Sequence, residues 1–190
     1  MKKIAIFASG NGSNAEHITR FFRQRKTADV HLILSNNSNA KVLERAKKLS
    51  VPAVVFNRSD FSNTNKISDL LVANKIDLIV LAGFLWLIPL NILQSFRNRI
   101  INIHPALLPK YGGKGMFGMR VHEAVIDSGD KQSGITIHYV NEKYDEGLII
   151  FQAKVAVDTT DTPESLASKI HELEYAHFPV VIEKVLGDRQ

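Results

Sequence analysis

The first half of the chain alternates short apolar segments with amphipathic ones, and this alternation constrains the fold more than any other feature. Five apolar segments are rich in Ile, Val and Leu and are bounded by turn residues, which is typical of buried strands. They are Ile4–Ala8, Val30–Leu34, Ala53–Phe56, Leu78–Ala82 and Ile100–Ile103. Between them, apolar residues recur at three- and four-residue spacing and predict helices. The predicted helices are Asn14–Arg25, Ala40–Leu49, Asn65–Asn74 and a short one from Pro89, in its first turn, to Phe96.

Strands and helices that alternate in this way predict an α/β fold of the Rossmann-like, doubly wound type. We expect a mostly parallel sheet with right-handed crossovers and the strand order 3-2-1-4-5. The later part of the chain departs from this pattern with a Gly-rich loop, a helix, two strands that should pair antiparallel, and a long terminal helix. The corresponding segments are Tyr111–Gly118, Met119–Asp127, Ser133–Val140, Leu148–Val157 and the helix that follows Thr162 as N-cap and Pro163 as first residue.

The composition limits the chemistry that the chain can perform. It has 190 residues and no cysteine, so residues 1–190 are expected to form one domain in a reducing cytoplasm, without thiolate catalysis or thiolate metal sites. The net charge of +5 is spread along the chain, which favours a solvated surface or attraction of small anions over nucleic-acid binding. Its longest apolar stretch is shorter than the about 20 residues of a membrane-spanning helix. We expect neither a membrane nor a nucleic-acid partner.

The first motif is Ser9-Gly10-Asn11-Gly12-Ser13-Asn14, which joins the first strand directly to a helix. Glycines allow close approach of the backbone to a ligand, and the free amides of a helix start favour an anion, so the motif predicts phosphate binding. A merely tight turn is the alternative. A dinucleotide site is disfavoured because the second strand ends in Ser35-Asn36-Asn37, without the acid that holds a ribose hydroxyl.

The second motif is Asn102-Ile103-His104-Pro105, at the carboxyl end of the fifth strand. Side chains alternate along a strand, so Asn102 and His104 project to one side. A carboxamide and an imidazole together can stabilise an oxyanion and move a proton, as acyl transfer requires. In the expected strand order this pair shares a crevice with the phosphate motif. Asp145, between the two late strands, is either a third member of the site or a solvated turn residue.

Together, the Ser9–Asn14 motif, Leu81-Ala82-Gly83-Phe84, the block Asn102–Pro109 and Asp145-Glu146-Gly147 resemble the phosphoribosylglycinamide formyltransferase family of folate-dependent one-carbon transferases. The similarity runs in order along nearly the whole chain. It implies transfer of the formyl group of 10-formyltetrahydrofolate, a co-substrate, to the amine of glycinamide ribonucleotide in purine biosynthesis. It implies no metal and no covalent enzyme intermediate, and the oligomeric state is left open between monomer and homodimer.

The resemblance also implies roles for individual residues. Asn102, His104 and Asp145 would form the catalytic trio, with Asp145 raising the pKa of His104. The substrate phosphate would be held by Gly12, Ser13 and Asn14, and its ribose and glycinamide part by His171 and Glu174. The folate would lie against Leu85, Trp86, Leu87 and Ile88 and against Asn141, Glu142, Lys143, Tyr144 and Asp145. Residues 1–104 would then form a phosphate-binding half, and residues 105–190 a folate-binding and catalytic-loop half.

Other interpretations stay open at this stage. Formyltetrahydrofolate deformylase and methionyl-tRNA formyltransferase share the chemistry, but each should carry an additional domain, and from its first core strand to its terminal helix this sequence is expected to fit neither. A non-catalytic nucleotide-binding module would bind a phosphorylated ligand without turnover and would give the trio no joint purpose. Two departures from the family pattern bear on site residues: Trp86 stands where many relatives carry a basic residue, and the loop Tyr111–Arg120 is longer than in many relatives.

Overall fold

A computed structural model describes residues 1–188, in which strands and helices alternate from the start. The strands are β1 (Lys2–Phe7), β2 (Ala28–Ser35), β3 (Ala53–Val55), β4 (Leu78–Leu81), β5 (Ile100–His104), β6 (Gln132–Tyr139) and β7 (Ile149–Ala156). The helices are α1 (Ser13–Arg25), α2 (Lys41–Lys48), α3 (Arg58–Ser62), α4 (Lys66–Ala73), α5 (Leu90–Ser95), α6 (Met119–Ser128) and α7 (Pro163–Gly187).

One seven-stranded sheet has the order β3-β2-β1-β4-β5-β6-β7. The strands β1 to β5 pair in parallel, in the predicted order, while β6 pairs antiparallel with both β5 and β7. The predicted doubly wound α/β fold with a C-terminal antiparallel pair is therefore confirmed. The sequence pattern did not predict helix α3, which is capped by the Asn57 side chain. The prediction that Pro89 lies in the first turn of α5 is wrong, because Pro89 is the cap residue that precedes this helix.

Both faces of the sheet are covered, which explains the continuous apolar character of the first strands. On β1, Ile4 and Ile6 face a cluster that includes residues of α1 and α7, while Ala5 and Phe7 face a second cluster that includes residues of α3, α4 and α5. All four side chains are fully buried. The carboxyl ends of the central strands are thereby left as the open edge of the sheet.

Helix α7 carries a buried carboxylate, that of Glu174, and packs against α1. It begins at a capping box, in which Thr162 accepts from the Ser165 backbone and Pro163 occupies the first turn, as predicted. Halfway along the helix, Glu174 is buried at 5% exposure, and α7 packs against α1. The start of α1 and the middle of α7 thus meet. Among residues 1–188, no helix is long and apolar enough to cross a membrane.

Candidate active site

A cavity of about 620 Å³ opens at the carboxyl ends of β1, β4 and β5. Several separate segments of the chain line it. They are residues 9–14, residues 82–85, residues 102–105, residues 113–118, and the single residues His122, Tyr144, Asp145, His171 and Glu174. The structure therefore brings the phosphate motif, the Asn/His pair and Asp145 into one space. The phosphate motif and the Asn/His pair lie close together because the carboxyl ends of parallel strands meet at one edge of the sheet.

The loop after β1 ends at Gly12, the cap residue of α1. Gly12 has a φ of +73°, and a Cβ there would collide with the side chain of Val42, so glycine is required. No side chain caps the first turn of α1, which leaves its backbone amides free for an anion. The hydroxyl of Ser9 accepts a hydrogen bond from the Leu85 amide at 3.1 Å and ties this loop to the turn after β4.

Glu174 connects the two helices beside this loop. Its Oε2 accepts hydrogen bonds from Nδ2 of Asn14 at 2.9 Å and from Nδ1 of His171 at 2.8 Å. The hydrogen bond that His171 donates to Glu174 raises the pKa of His171 above its ordinary value, so the imidazolium is favoured. The His171–Glu174 ion pair therefore lies close to the start of α1, and the free backbone amides of that start are the groups that favour a bound anion.

His104 is nearly fully buried, at 4% exposure, and both of its ring nitrogens have neighbours. Nε2 donates to the carbonyl of Tyr111 at 2.7 Å, and Nδ1 lies 3.6 Å from Oδ2 of Asp145. The same carboxylate oxygen accepts from the Gly113 amide at 3.0 Å. Asp145 adopts a left-handed φ of +56°, which turns its side chain toward His104 rather than along the strand direction. The solvated-turn interpretation of Asp145 is thus wrong.

Asn102 is held by His138, which the sequence pattern did not indicate as a site residue. Its Nδ2 donates to Nε2 of His138 at 3.1 Å and lies 3.4 Å from Oδ1 of Asp145. His138 donates its Nδ1 proton to the carbonyl of Tyr139 at 2.8 Å, which leaves Nε2 as the acceptor. His138 stands directly opposite Asn102 in the β5–β6 pairing. Only the register of that pairing could have indicated it, and the sequence does not reveal the register.

Burial is the main influence on the pKa of the His104 imidazole. It lowers the pKa of His104 below its ordinary value, and the opposing charge of Asp145 does not overcome this effect. Asp145 thus raises the pKa of His104 as expected, but the larger effect of burial leaves that pKa below its ordinary value. Burial raises the pKa of Asp145, but contact with His138 and the charge of His104 outweigh it and leave that pKa below its ordinary value.

The segment expected to contact folate is divided in the structure. Leu85 lines the cavity and is 42% exposed, whereas Ile88 is buried in the core. Trp86 packs among the aromatic rings beside β3 and α3, and the guanidinium of Arg58 lies 4.6 Å above its indole ring. Leu87 is exposed outside the cavity lining. Leu85 is thus the member of this segment that reaches the cavity.

The second expected folate segment is the loop between β6 and β7. Tyr144 and Asp145 line the cavity, while Asn141, Glu142 and Lys143 lie outside its lining. Lys143 pairs with Glu146 on the surface at 3.0 Å. Within residues 1–188, no group of three His, Cys, Asp or Glu side chains is placed to hold a metal ion.

Comparison with known proteins defines the class. A sequence model of the formyl transferase family matches residues 2–182. A phosphoribosylglycinamide formyltransferase of Bacillus subtilis is 40% identical, with 98% of this chain and 96% of that protein covered. A chloroplastic one of Arabidopsis thaliana is also 40% identical, and the match covers 99% of this chain and 66% of that longer protein. The crystal structure of the Bacillus halodurans phosphoribosylglycinamide formyltransferase aligns with a TM-score of 0.87, 34% identity, and 100% and 97% coverage.

The chain therefore belongs to the formyl transferase family. The two relatives of comparable length named above are phosphoribosylglycinamide formyltransferases, in agreement with the resemblance found in the sequence motifs.

Proposed function

We propose that this chain transfers the formyl group of 10-formyltetrahydrofolate to the amine of glycinamide ribonucleotide, a step of purine biosynthesis. One observation carries the proposal: a single cavity is lined by the uncapped start of α1, whose free amides suit an anion, and by Asn102, His104 and Asp145. A phosphorylated acceptor bound at the helix start has its far end beside the trio. Full-length similarity to phosphoribosylglycinamide formyltransferases supports the same assignment.

The phosphate is assigned to Gly12, Ser13 and Asn14, mainly through backbone amides, because the Asn14 side chain is engaged with Glu174. His171 and Glu174 take the ribose and glycinamide part of the acceptor. The folate is assigned to Leu85–Ile88 and to Asn141–Asp145. The exposed Leu85 and the half-buried Tyr144, which line the cavity, support this side of it as the folate side.

The reaction begins with attack of the acceptor amine on the formyl carbon. In the free enzyme the two Nδ2 protons of Asn102 point to His138 and Asp145, and during the reaction the weaker contact, to Oδ1 of Asp145 at 3.4 Å, is exchanged for the oxygen that becomes negative in the tetrahedral intermediate. His104 is neutral in the free enzyme, so it can take the proton that the attacking amine releases and deliver it to the departing folate nitrogen. While the ring carries this proton, Asp145 at Nδ1 and the carbonyl of Tyr111 at Nε2 stabilise its charge. The C–N bond to the acceptor forms and the C–N bond to folate breaks, without a covalent enzyme intermediate or a metal.

The whole chain is assigned to one domain, with a phosphate-binding half (1–104) and a folate-binding half (105–190). The continuous seven-stranded sheet supports this unit. A cytoplasmic setting fits the absence of cysteine, and the reaction needs no nucleic-acid partner. Monomer and homodimer are both compatible with a cavity that one chain lines completely.

The deciding experiment mixes the protein with glycinamide ribonucleotide and a 10-formyl folate and follows deformylated folate by absorbance. Release that depends on the acceptor is expected. Release without the acceptor would instead indicate a deformylase. Acceptor binding without release would indicate a non-catalytic binding module, and either result would overturn the proposal.

A further inference from the structure

His122 lines the cavity but has no part in the reaction described above. It lies in the first turn of α6, directly after the glycine-rich loop, and is only 3% exposed. Its Nδ1 atom is buried and has no hydrogen-bond partner among the described residues. Buried polar atoms are almost always partnered, so an orphan nitrogen on a residue that lines a ligand cavity points to a partner that the ligand supplies when the ring turns toward it.

The neighbours of His122 indicate which ligand this is. Burial lowers the pKa of His122, the charge of His171 lowers it further, and the charge of Glu174 acts in the opposite direction. The lowered pKa favours the neutral ring, and His122 lines the same cavity as the His171–Glu174 pair. A neutral imidazole has one donor and one acceptor nitrogen, which suits hydroxyl and amide groups better than a phosphate.

A second orphan atom lies at the same end of the cavity. Oδ1 of Asn14 is buried without a partner, because the Asn14 amide group is turned so that Nδ2 donates to Glu174. An unpartnered carbonyl oxygen requires an N–H or O–H donor. Sugar hydroxyls and a glycinamide amide supply donors, whereas a phosphate dianion does not. Both orphan atoms could therefore be partnered by hydroxyl or amide groups of the acceptor that lie between its phosphate and its reacting amine.

We propose that His122 is a further binding residue for the acceptor, and that its Nδ1 hydrogen-bonds a hydroxyl or amide group between the phosphate and the reacting amine. This inference rests on the proposed function. His122 positions the acceptor together with Oδ1 of Asn14 and makes no contact with the folate.

The test uses His122→Leu, which keeps similar volume and removes both ring nitrogens. We expect KM for glycinamide ribonucleotide to rise about tenfold, the usual effect of one lost hydrogen bond, with KM for the folate and kcat nearly unchanged. The thermal midpoint of the ligand-free variant should not fall, because an unpartnered buried nitrogen is replaced by an apolar group. Its rise on addition of glycinamide ribonucleotide should be smaller than in the wild type. His31→Leu, on β2 and away from the cavity lining, is the matched control.

A second measurement does not depend on the variant. In the wild type, the ¹⁵N resonance of His122 Nδ1 should shift when glycinamide ribonucleotide is added and stay in place when the folate is added. An unshifted resonance, or an unchanged KM for the acceptor in a folded His122→Leu, overturns the inference. So does an equal rise in KM for both substrates, which a structural role would give. If the wild type itself forms no formylated acceptor, the proposed function fails instead.

Discussion

Replacement of Asp145 by Asn perturbs the best-defined charge interaction in the site. The Asp145 side chain is only 12% exposed, and its Oδ2 lies 3.6 Å from Nδ1 of His104. An opposite charge at such a distance shifts a pKa by about 1–3 units, and each unit corresponds to about 1.4 kcal/mol. Asp145→Asn keeps the shape and removes the charge. The imidazolium that forms during proton transfer should therefore be destabilised by about 1.4–4 kcal/mol, and kcat should fall about 10- to 1000-fold.

The same substitution should shift the acidic limb of the pH profile to lower pH. The pKa of His104 is already below its ordinary value of 6.5, and loss of the Asp145 charge lowers it further. Because the ring must be neutral to accept a proton, the acidic limb that it sets should move to lower pH. NMR titration of the His104 ring, together with turnover over the same pH range, measures both effects. The control is Asp158→Asn, which removes a carboxylate paired with Lys169 outside the cavity lining. A His104 titration that stays in place or moves upward would refute this role of Asp145.

Three other perturbations follow from the site. Gly12→Ala places a Cβ against Val42, so steady-state kinetics should show a higher KM for glycinamide ribonucleotide and little change for the folate; the reverse order would remove the phosphate assignment. Asn102→Ala should lower kcat by about 10²–10³, the usual cost of one oxyanion donor, and near-normal turnover would exclude it from the mechanism. His104 and His122 are buried with lowered pKa values, so the unfolded chain binds more protons. Above about pH 6.5 the two histidines contribute fully to the free energy of unfolding, and this contribution is lost as the pH falls through their folded pKa values. Denaturant titrations that show no such loss would contradict this prediction.

Much of the fold follows from local sequence patterns. The buried strands are recognisable because a doubly covered sheet needs continuous apolar runs such as the one in β1, and the terminal helix because Thr162 and Pro163 mark its start. Helix α3 was missed because it is short and has little apolar periodicity. The antiparallel pairing of β5 with β6 was also missed, since pairing partners far apart in sequence leave no local signal.

The site was predictable only to the extent that it lies on strand ends and helix starts. The positions of Asn102 and Gly12 follow from the strand order. His138 does not, because it reaches Asn102 only through the β5–β6 register. Nor does the position of Trp86, whose packing beside α3 depends on a helix that the sequence pattern did not show. The net pKa of His104 required knowledge of its burial, which the sequence does not provide.

Two histidines that line the cavity have pKa values shifted in opposite directions, one by a carboxylate partner and the other by burial. The His171 side chain is 50% exposed and donates to Glu174, so its pKa is raised and its cationic form is favoured where the ribose and glycinamide part of the acceptor is expected. His104 is 4% exposed and its pKa is lowered, so it is neutral where a proton must be accepted. At pH values between the lowered pKa of His104 and the raised pKa of His171, His104 is mostly neutral and His171 is mostly cationic. Since the ordinary histidine value of 6.5 lies inside this interval, the enzyme should work best in a pH range that includes this value.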